Sequence, residues 1–344
     1  LAESGDRDCD HQRDRSFYAG RSQKLEGDMK KILYPEKQWK KSKNETALII
    51  LLVALCVVFS VLSDSFFRLQ NAQQILKQSA ELGIIVLGMS ASIISGGFDL
   101  SIGALAGLNS VILATMLQQG SPIWQAAAAA LLCSLACGVL NGILIGMFQL
   151  QPMVITLGTS TVFTGIGTVI SEGHAISDLP EGFLIFHSTS MLGVPIQFWI
   201  FLGAIVIFSY IFQYTKYGRQ VYLLGSSYEA ASYSGIPCRK CTFWVYVFSS
   251  VMAFLVAVIM TSRMATGRID FADNYVMQSV SAAVFGGISV NGGKGRIYGA
   301  VIGVLIYTVL SNVFNLLELS RYLHQVVIGV ILLIVLGIRK KIET

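Results

Sequence analysis

Ser95-Gly-Gly-Phe-Asp-Leu-Ser-Ile-Gly-Ala-Leu-Ala-Gly107 carries an acidic residue, Asp99, with long apolar sequence on both sides. Leu82 to Ile94 precedes it and Ala104 to Leu117 follows it. A carboxylate is expensive to bury in such a setting and marks a functional site by default. Gly96, Gly97, Gly103 and Gly107 around it suit a broken helix and close helix contacts. Asp99 also suits a helix cap, accepting from the free N–H groups of the next first turn. The two readings are compatible, because transporters place broken helices near the membrane midplane.

The chain around that stretch has the composition of a membrane protein. Apolar residues make up 53% of it and charged residues 13%, and the mean hydropathy is +0.63. Apolar runs near the ~20 residues needed to span a bilayer recur along its length. The fold class expected is an all-α integral membrane protein with about ten transmembrane helices, some short and broken by glycine, and both termini cytoplasmic. The spans are expected near 46–62, 80–94, 100–117, 123–147, 153–170, 198–212, 242–260, 276–288, 297–317 and 322–338. A connector at 63–77 is expected along the interface. From residue 29 onward, fifteen Lys and Arg fall on the inner side of this arrangement and five on the outer side, as the positive-inside rule requires. The net charge of +5 sits in short loops, so it points to the lipid bilayer and not to nucleic acid.

Residues 1–28 carry seven acidic and five basic residues and no apolar periodicity. They read as disordered and dispensable, with Met29 as a natural start. Residues 1–45 form a basic N-terminal segment, 46–338 the transmembrane domain, and 339–344 a basic tail. The loop 171–197 holds Glu172, His174, Asp178, Glu181 and His187 without Lys or Arg, which puts it outside; its histidines are too widely spaced for a metal site. The loop 213–240 is basic and lies inside. Cys238-Arg-Lys-Cys241 has C-x-x-C spacing but no second pair or nearby His, so it reads as structural. Thr and Ser residues of the span 153–170 mostly suit bonds to backbone carbonyls one turn back.

A faint internal echo pairs a short span, a glycine break and a small-residue helix. Gly96-Gly97 precedes Gly103-x-x-x-Gly107, and Gly286-Gly287 precedes Gly299-x-x-x-Gly303. Glycine is common in membrane helices, so the echo is also compatible with chance.

Three stretches together resemble the membrane permease of ribose-type ATP-binding-cassette importers, which carry simple sugars and autoinducer-2. They are Ser95 to Gly103; Lys216-Tyr-Gly-Arg219 with Gly225 to Ile236; and Gly286 to Gly295, with Asn312 to Leu316 and Gln325-Val-Val after it. The likeness runs from about residue 46 to 338. It implies a permease for a ribose-like monosaccharide or related solute in the bacterial cytoplasmic (inner) membrane. It implies as partners cytoplasmic ATPase subunits, an extracytoplasmic sugar-binding protein and a second permease subunit, identical or homologous. The family's coupling segment, a short cytoplasmic helix docking on the ATPase, falls on Glu229, Ala230, Ala231 and Gly235, flanked by Gly218 and Arg219. Candidates for the substrate path are Gly96, Gly97, Asp99, Ser101, Asn141 and Thr156.

No Gly-rich loop ending in Lys-Ser/Thr occurs, so the chain is not expected to be an enzyme or to need a cofactor. The alternative to an ATP-driven importer is a proton-coupled secondary transporter using Asp99.

Overall fold

A computed structural model describes residues 43–62 and 65–317, with five further positions between 323 and 330. The expectations for residues 1–42, most of the span 322–338 and the tail 339–344 lie outside the described residues. The described chain is helices joined by loops, with one small hairpin and an isolated bridge between Ile176 and Gly267. Its first helices are α1 (Lys43–Leu62), α2 (Leu69–Ile94), α3 (Ile102–Gln118) and α4 (Ile123–Gly142), the last continuing as a π-helical turn, Ile143–Met147. α5 (Pro152–Ser171) and α6 (Glu181–Ser188) lead to strands β1 (Ser190–Met191) and β2 (Val194–Pro195). α7 (Ile196–Tyr214), α8 (Lys216–Ser226), α9 (Tyr228–Tyr233), α10 (Cys238–Met264), α11 (Asp273–Phe285) and α12 (Ile297–Leu316) complete the order.

Five of these helices, including the π-helical extension of α4, are long and apolar enough to cross a membrane: 123–147, 152–171, 196–214, 238–264 and 297–316. The apolar stretches Thr46–Val61 and Ile102–Gln118 are shorter. α11 has 13 residues, about 20 Å at 1.5 Å each, against a hydrocarbon core of about 30 Å.

α2 is the central helix. Every residue from Ser79 to Ile94 is buried, as a helix apolar on all sides requires. It packs against α10, α12, α11 and α7, and α10 in turn packs against α3 and α4. α1, α4 and α5 turn apolar side chains such as Val53, Leu132 and Val162 outward, the surface a bilayer covers.

α2 corrects the sequence reading in two ways. The helix starts at Leu69 and runs 26 residues, so it is not short, and residues 69–77 are its first turns and not an interfacial connector. Gln70, Gln73, Gln74 and Gln78 made that part look like a loop, but they are good helix formers. The loop 171–197 also has structure of its own. β1 and β2 pair in register Ser190↔Pro195 and Met191↔Val194, closed by Leu192 and Gly193 at φ 56° and 77°, the positive values a tight two-residue hairpin turn needs.

Candidate functional site

α2 and α11 end in the same way. After Ser95, Gly96 has φ +91°; its N–H donates to the Ile93 carbonyl and the Gly97 N–H to the Ser92 carbonyl, both at 3.0 Å. After Gly286, Gly287 has φ 96°; its N–H donates to Val284 and the Ile288 N–H to Ala283, again at 3.0 Å. Both are Schellman caps, with the left-handed position filled by the one residue that takes it without strain. The echo in the sequence is thus a repeated backbone device. The helices that follow differ in what they touch: Gly107 of α3 abuts Ile269, whereas Gly299 and Gly303 of α12 abut α11.

The chain between Gly96 and α3 is held by side chains. Asp99 is 3% exposed. Its Oδ1 accepts from the Ser101 backbone N–H at 3.1 Å and from Ser101 Oγ at 2.6 Å. Its Oδ2 accepts from Ser249 Oγ, on α10, at 2.5 Å. Asn141 Nδ2 donates to Ser101 Oγ at 2.9 Å. Thr156 Oγ1 donates to the carbonyls of Pro152 at 2.9 Å and Phe98 at 3.3 Å. A Cβ on Gly97 would crowd Tyr246 Oη at 2.7 Å. Asp99, Ser101, Asn141, Thr156 and Gly97 therefore form one buried cluster at the break, and Gly96 faces the other way, onto Gly225. Asp99 bonds the backbone N–H two residues on, an Asx turn into α3, rather than capping from the position beside the helix.

Gly225, near the end of α8, lies between the two breaks. A Cβ there would strike the Ile94 carbonyl and stand 2.7 Å from the Gly293 nitrogen, and one on Gly292 would stand 2.9 Å from the Gly96 Cα. The Gly293 N–H donates to the Ile94 carbonyl at 2.9 Å. Backbone meets backbone here because no side chain intervenes.

α9 follows directly. Its N-cap, Ser227, accepts from the Ala230 N–H at 3.3 Å, as such caps do. It ends in a third Schellman cap: Gly235 has φ +76°, and the Gly235 and Ile236 N–H groups donate to Ser232 and Ala231 at 3.0 and 3.1 Å. Ala231 is buried against Leu224, Cys238 and Cys241. Glu229, Ala230 and Tyr233 are exposed, Tyr233 at 92%. Gly218 is packed onto the Phe212 carbonyl, its N–H donating to Thr215 Oγ1 at 3.2 Å, and Arg219 is exposed. Cys238 and Cys241 are buried free thiols.

At the other end of the bundle, Lys77 Nζ lies 3.2 Å from His187 Nε2. Burial, then the positive charges of Lys77 and Arg263, push the His187 pKa below its ordinary value. Arg268 holds Asp270 in a two-pronged pair at 3.0 and 2.7 Å and keeps that carboxyl below the usual carboxylate range.

Residues 71–336 match the family described as the permease component of the branched-chain amino acid transport system. The chain belongs to that family. It is similar to the ribose import permease protein of Bacillus subtilis (strain 168), 34% identical over 84% of this chain and 91% of that protein. It is 32% identical to the D-allose transport system permease protein of Escherichia coli (strain K12), over 81% and 86%. It is 30% identical to the autoinducer 2 import system permease protein of Salmonella paratyphi A, over 86% and 91%. No solved structure matches the chain. Family membership and the apolar helices make this a multi-pass protein of the bacterial inner membrane. The same comparisons support the importer-permease reading and not the proton-coupled alternative.

Sequence reasoning missed three polar residues of this permease. Ser249 and Tyr246, three apart on α10, face the break, but nothing local marks which span meets Asp99. Glu81 was overlooked, although it is an acid inside a span and 1% exposed. Its Oε1 lies 2.6 Å from Arg263 Nε, and Tyr275 Oη donates to its Oε2 at 3.1 Å. Its signal was plain: an acid between Ala80 and a long apolar run.

Proposed function

We propose that this chain is the permease subunit of an ATP-binding-cassette importer that moves a simple sugar or sugar-like solute into the cell. The similarity to ribose and allose permeases over more than four-fifths of the chain carries this reading. In it the chain has ten spans with both termini cytoplasmic. It pairs with a second permease subunit, receives solute from an extracytoplasmic binding protein, and takes its energy from two cytoplasmic ATPases.

α9 is the docking element for the ATPase. Its exposed face offers Glu229 and the small Ala230 between two aromatic residues, Tyr228 and Tyr233, all exposed. Gly218 and Arg219 belong to the same inner face through α8. The motion of α9 reaches the breaks through Gly225. Gly96, Gly97, Asp99, Ser101, Asn141 and Thr156 act as the hinge beside the path, fixing the break between α2 and α3 in each state. ATP acts by binding one state better than the other, the only way a ligand shifts such an equilibrium.

The test is uptake of labelled D-ribose and D-allose into vesicles holding the chain with its ATPase and binding protein. Uptake that needs ATP and survives an uncoupler is expected. Uptake without ATP, abolished by the uncoupler, would contradict the reading.

A further inference from the structure

A cavity of about 300 Å³ opens between α2, α11 and α12, at the lower end of the size of small-molecule sites. None of the hinge residues lines it. Its wall is polar, although the helices that build it are apolar elsewhere. Gln78 of α2, Asn274 and Gln278 of α11, and Ser311 and Asn315 of α12 all face it. The last two pairs are each four residues apart, so each forms a polar stripe on one helix face. Polar stripes of this kind are retained in membrane helices where they face a water-filled path.

We propose that this cavity is the solute vestibule of the permease and that it takes a neutral, polyhydroxylated molecule; the proposal rests on the permease reading above. Three features set the chemistry. Amide side chains both donate and accept, as does every hydroxyl of a sugar. Phe271, Tyr275 and Tyr307 add aromatic surface to the wall, suited to the C–H faces of a sugar ring. Among the described residues, the one charged side chain in the wall is Arg263, and its charge is balanced by Glu81 at 2.6 Å. An amino acid, by contrast, brings an ammonium and a carboxylate that each need a counter-charge. The position fits an outer vestibule. Gln78 and Ile94 lie on one helix, about 24 Å apart at 1.5 Å per residue, so the cavity sits at the end of α2 away from Gly225 and α9.

The test uses the full chain in lipid nanodiscs and saturation-transfer NMR, which detects weak binding. The probes are D-ribose, D-allose and L-leucine. Wild type is expected to saturate the ring protons of at least one sugar and not L-leucine. The double variant Gln278→Leu/Asn315→Leu is expected to lose at least nine-tenths of that signal. The size-matched Gln278→Glu variant guards against misfolding and is expected to weaken it as well. In the assembled importer the double variant should lower sugar uptake at least tenfold while ATPase co-purification is unchanged. Absence of sugar saturation in wild type, equal saturation in the variants, or an L-leucine signal lost in the double variant would each overturn the assignment. If wild type nevertheless shows ATP-driven uptake, the permease reading stands and only the vestibule falls.

Discussion

Gly225 lies against Ile94 so closely that a Cβ at Gly225 would run into the Ile94 carbonyl oxygen. That oxygen also accepts from the Gly293 N–H at 2.9 Å. The end of α8, the break after α2 and the turn after α11 therefore share one backbone contact. Two residues, Ser226 and Ser227, lead from this contact to α9. A push on α9 has almost no slack to cross before it reaches both breaks.

Gly225→Ala should then cost about 1–3 kcal/mol, the usual range for overpacking, and should lower ATP-driven uptake more than it lowers membrane expression. Gly158→Ala is the control, because a Cβ there has nothing within 4 Å. Thermal unfolding in detergent compares the two. Equal stability and equal uptake would show that the contact yields freely.

Asp99 should tolerate an amide better than a hydrocarbon. Asn at 99 keeps an acceptor for Ser101 and leaves Ser249 Oγ free to accept from the new amide. Asp99→Asn should lose about 1.5–3 kcal/mol from weakened charged hydrogen bonds and still assemble with reduced uptake. Asp99→Leu leaves the Ser101 N–H and two hydroxyls buried without acceptors, and should fail to reach the membrane in normal amount. Size-exclusion profiles and uptake of both variants check the order.

His187 makes one contact pH-sensitive. Stability rises with pH wherever the unfolded chain binds more protons. The His187 pKa is depressed in the fold, and the unfolded value is about 6.5, so between the two the unfolded chain holds the extra proton. The Lys77–His187 contact is thus at full strength above about pH 6.5 and weakens as pH falls through the folded value. Hydrogen-exchange protection of residues 181–188, corrected for intrinsic rates, should drop between pH 7.5 and 5.5. His187→Gln should flatten that dependence; an equal drop in His187→Gln would remove His187 as its cause.

Much of this arrangement was legible in the sequence because glycine and acid placement are local signals. Gly96-Gly97 and Gly286-Gly287 announced two breaks, and both are the same cap. What was not legible depended on distant partners or weak periodicity. Ser249 reaches Asp99 across 150 residues, and no pattern along α10 singles it out. The first turns of α2 are rich in Gln and hid a helix behind loop-like polarity. The cavity was invisible because its polar residues come from four helices: Gln78 from α2, Arg263 from α10, Asn274 and Gln278 from α11, and Thr308, Ser311 and Asn315 from α12.

If α9 docks an ATPase and drives this bundle, as proposed, Ala230→Trp should break the coupling. Ala230 is exposed, so a bulky residue there should not disturb the fold, yet it should block a close helix-in-groove contact at a cost of about 1–3 kcal/mol. The measurement is co-purification of the ATPase with the chain, together with ATP hydrolysis stimulated by sugar and binding protein in the reconstituted importer. Normal membrane insertion, five- to hundredfold weaker ATPase retention and a matching loss of stimulated hydrolysis are expected. Wild-type retention with wild-type stimulation would contradict the proposal.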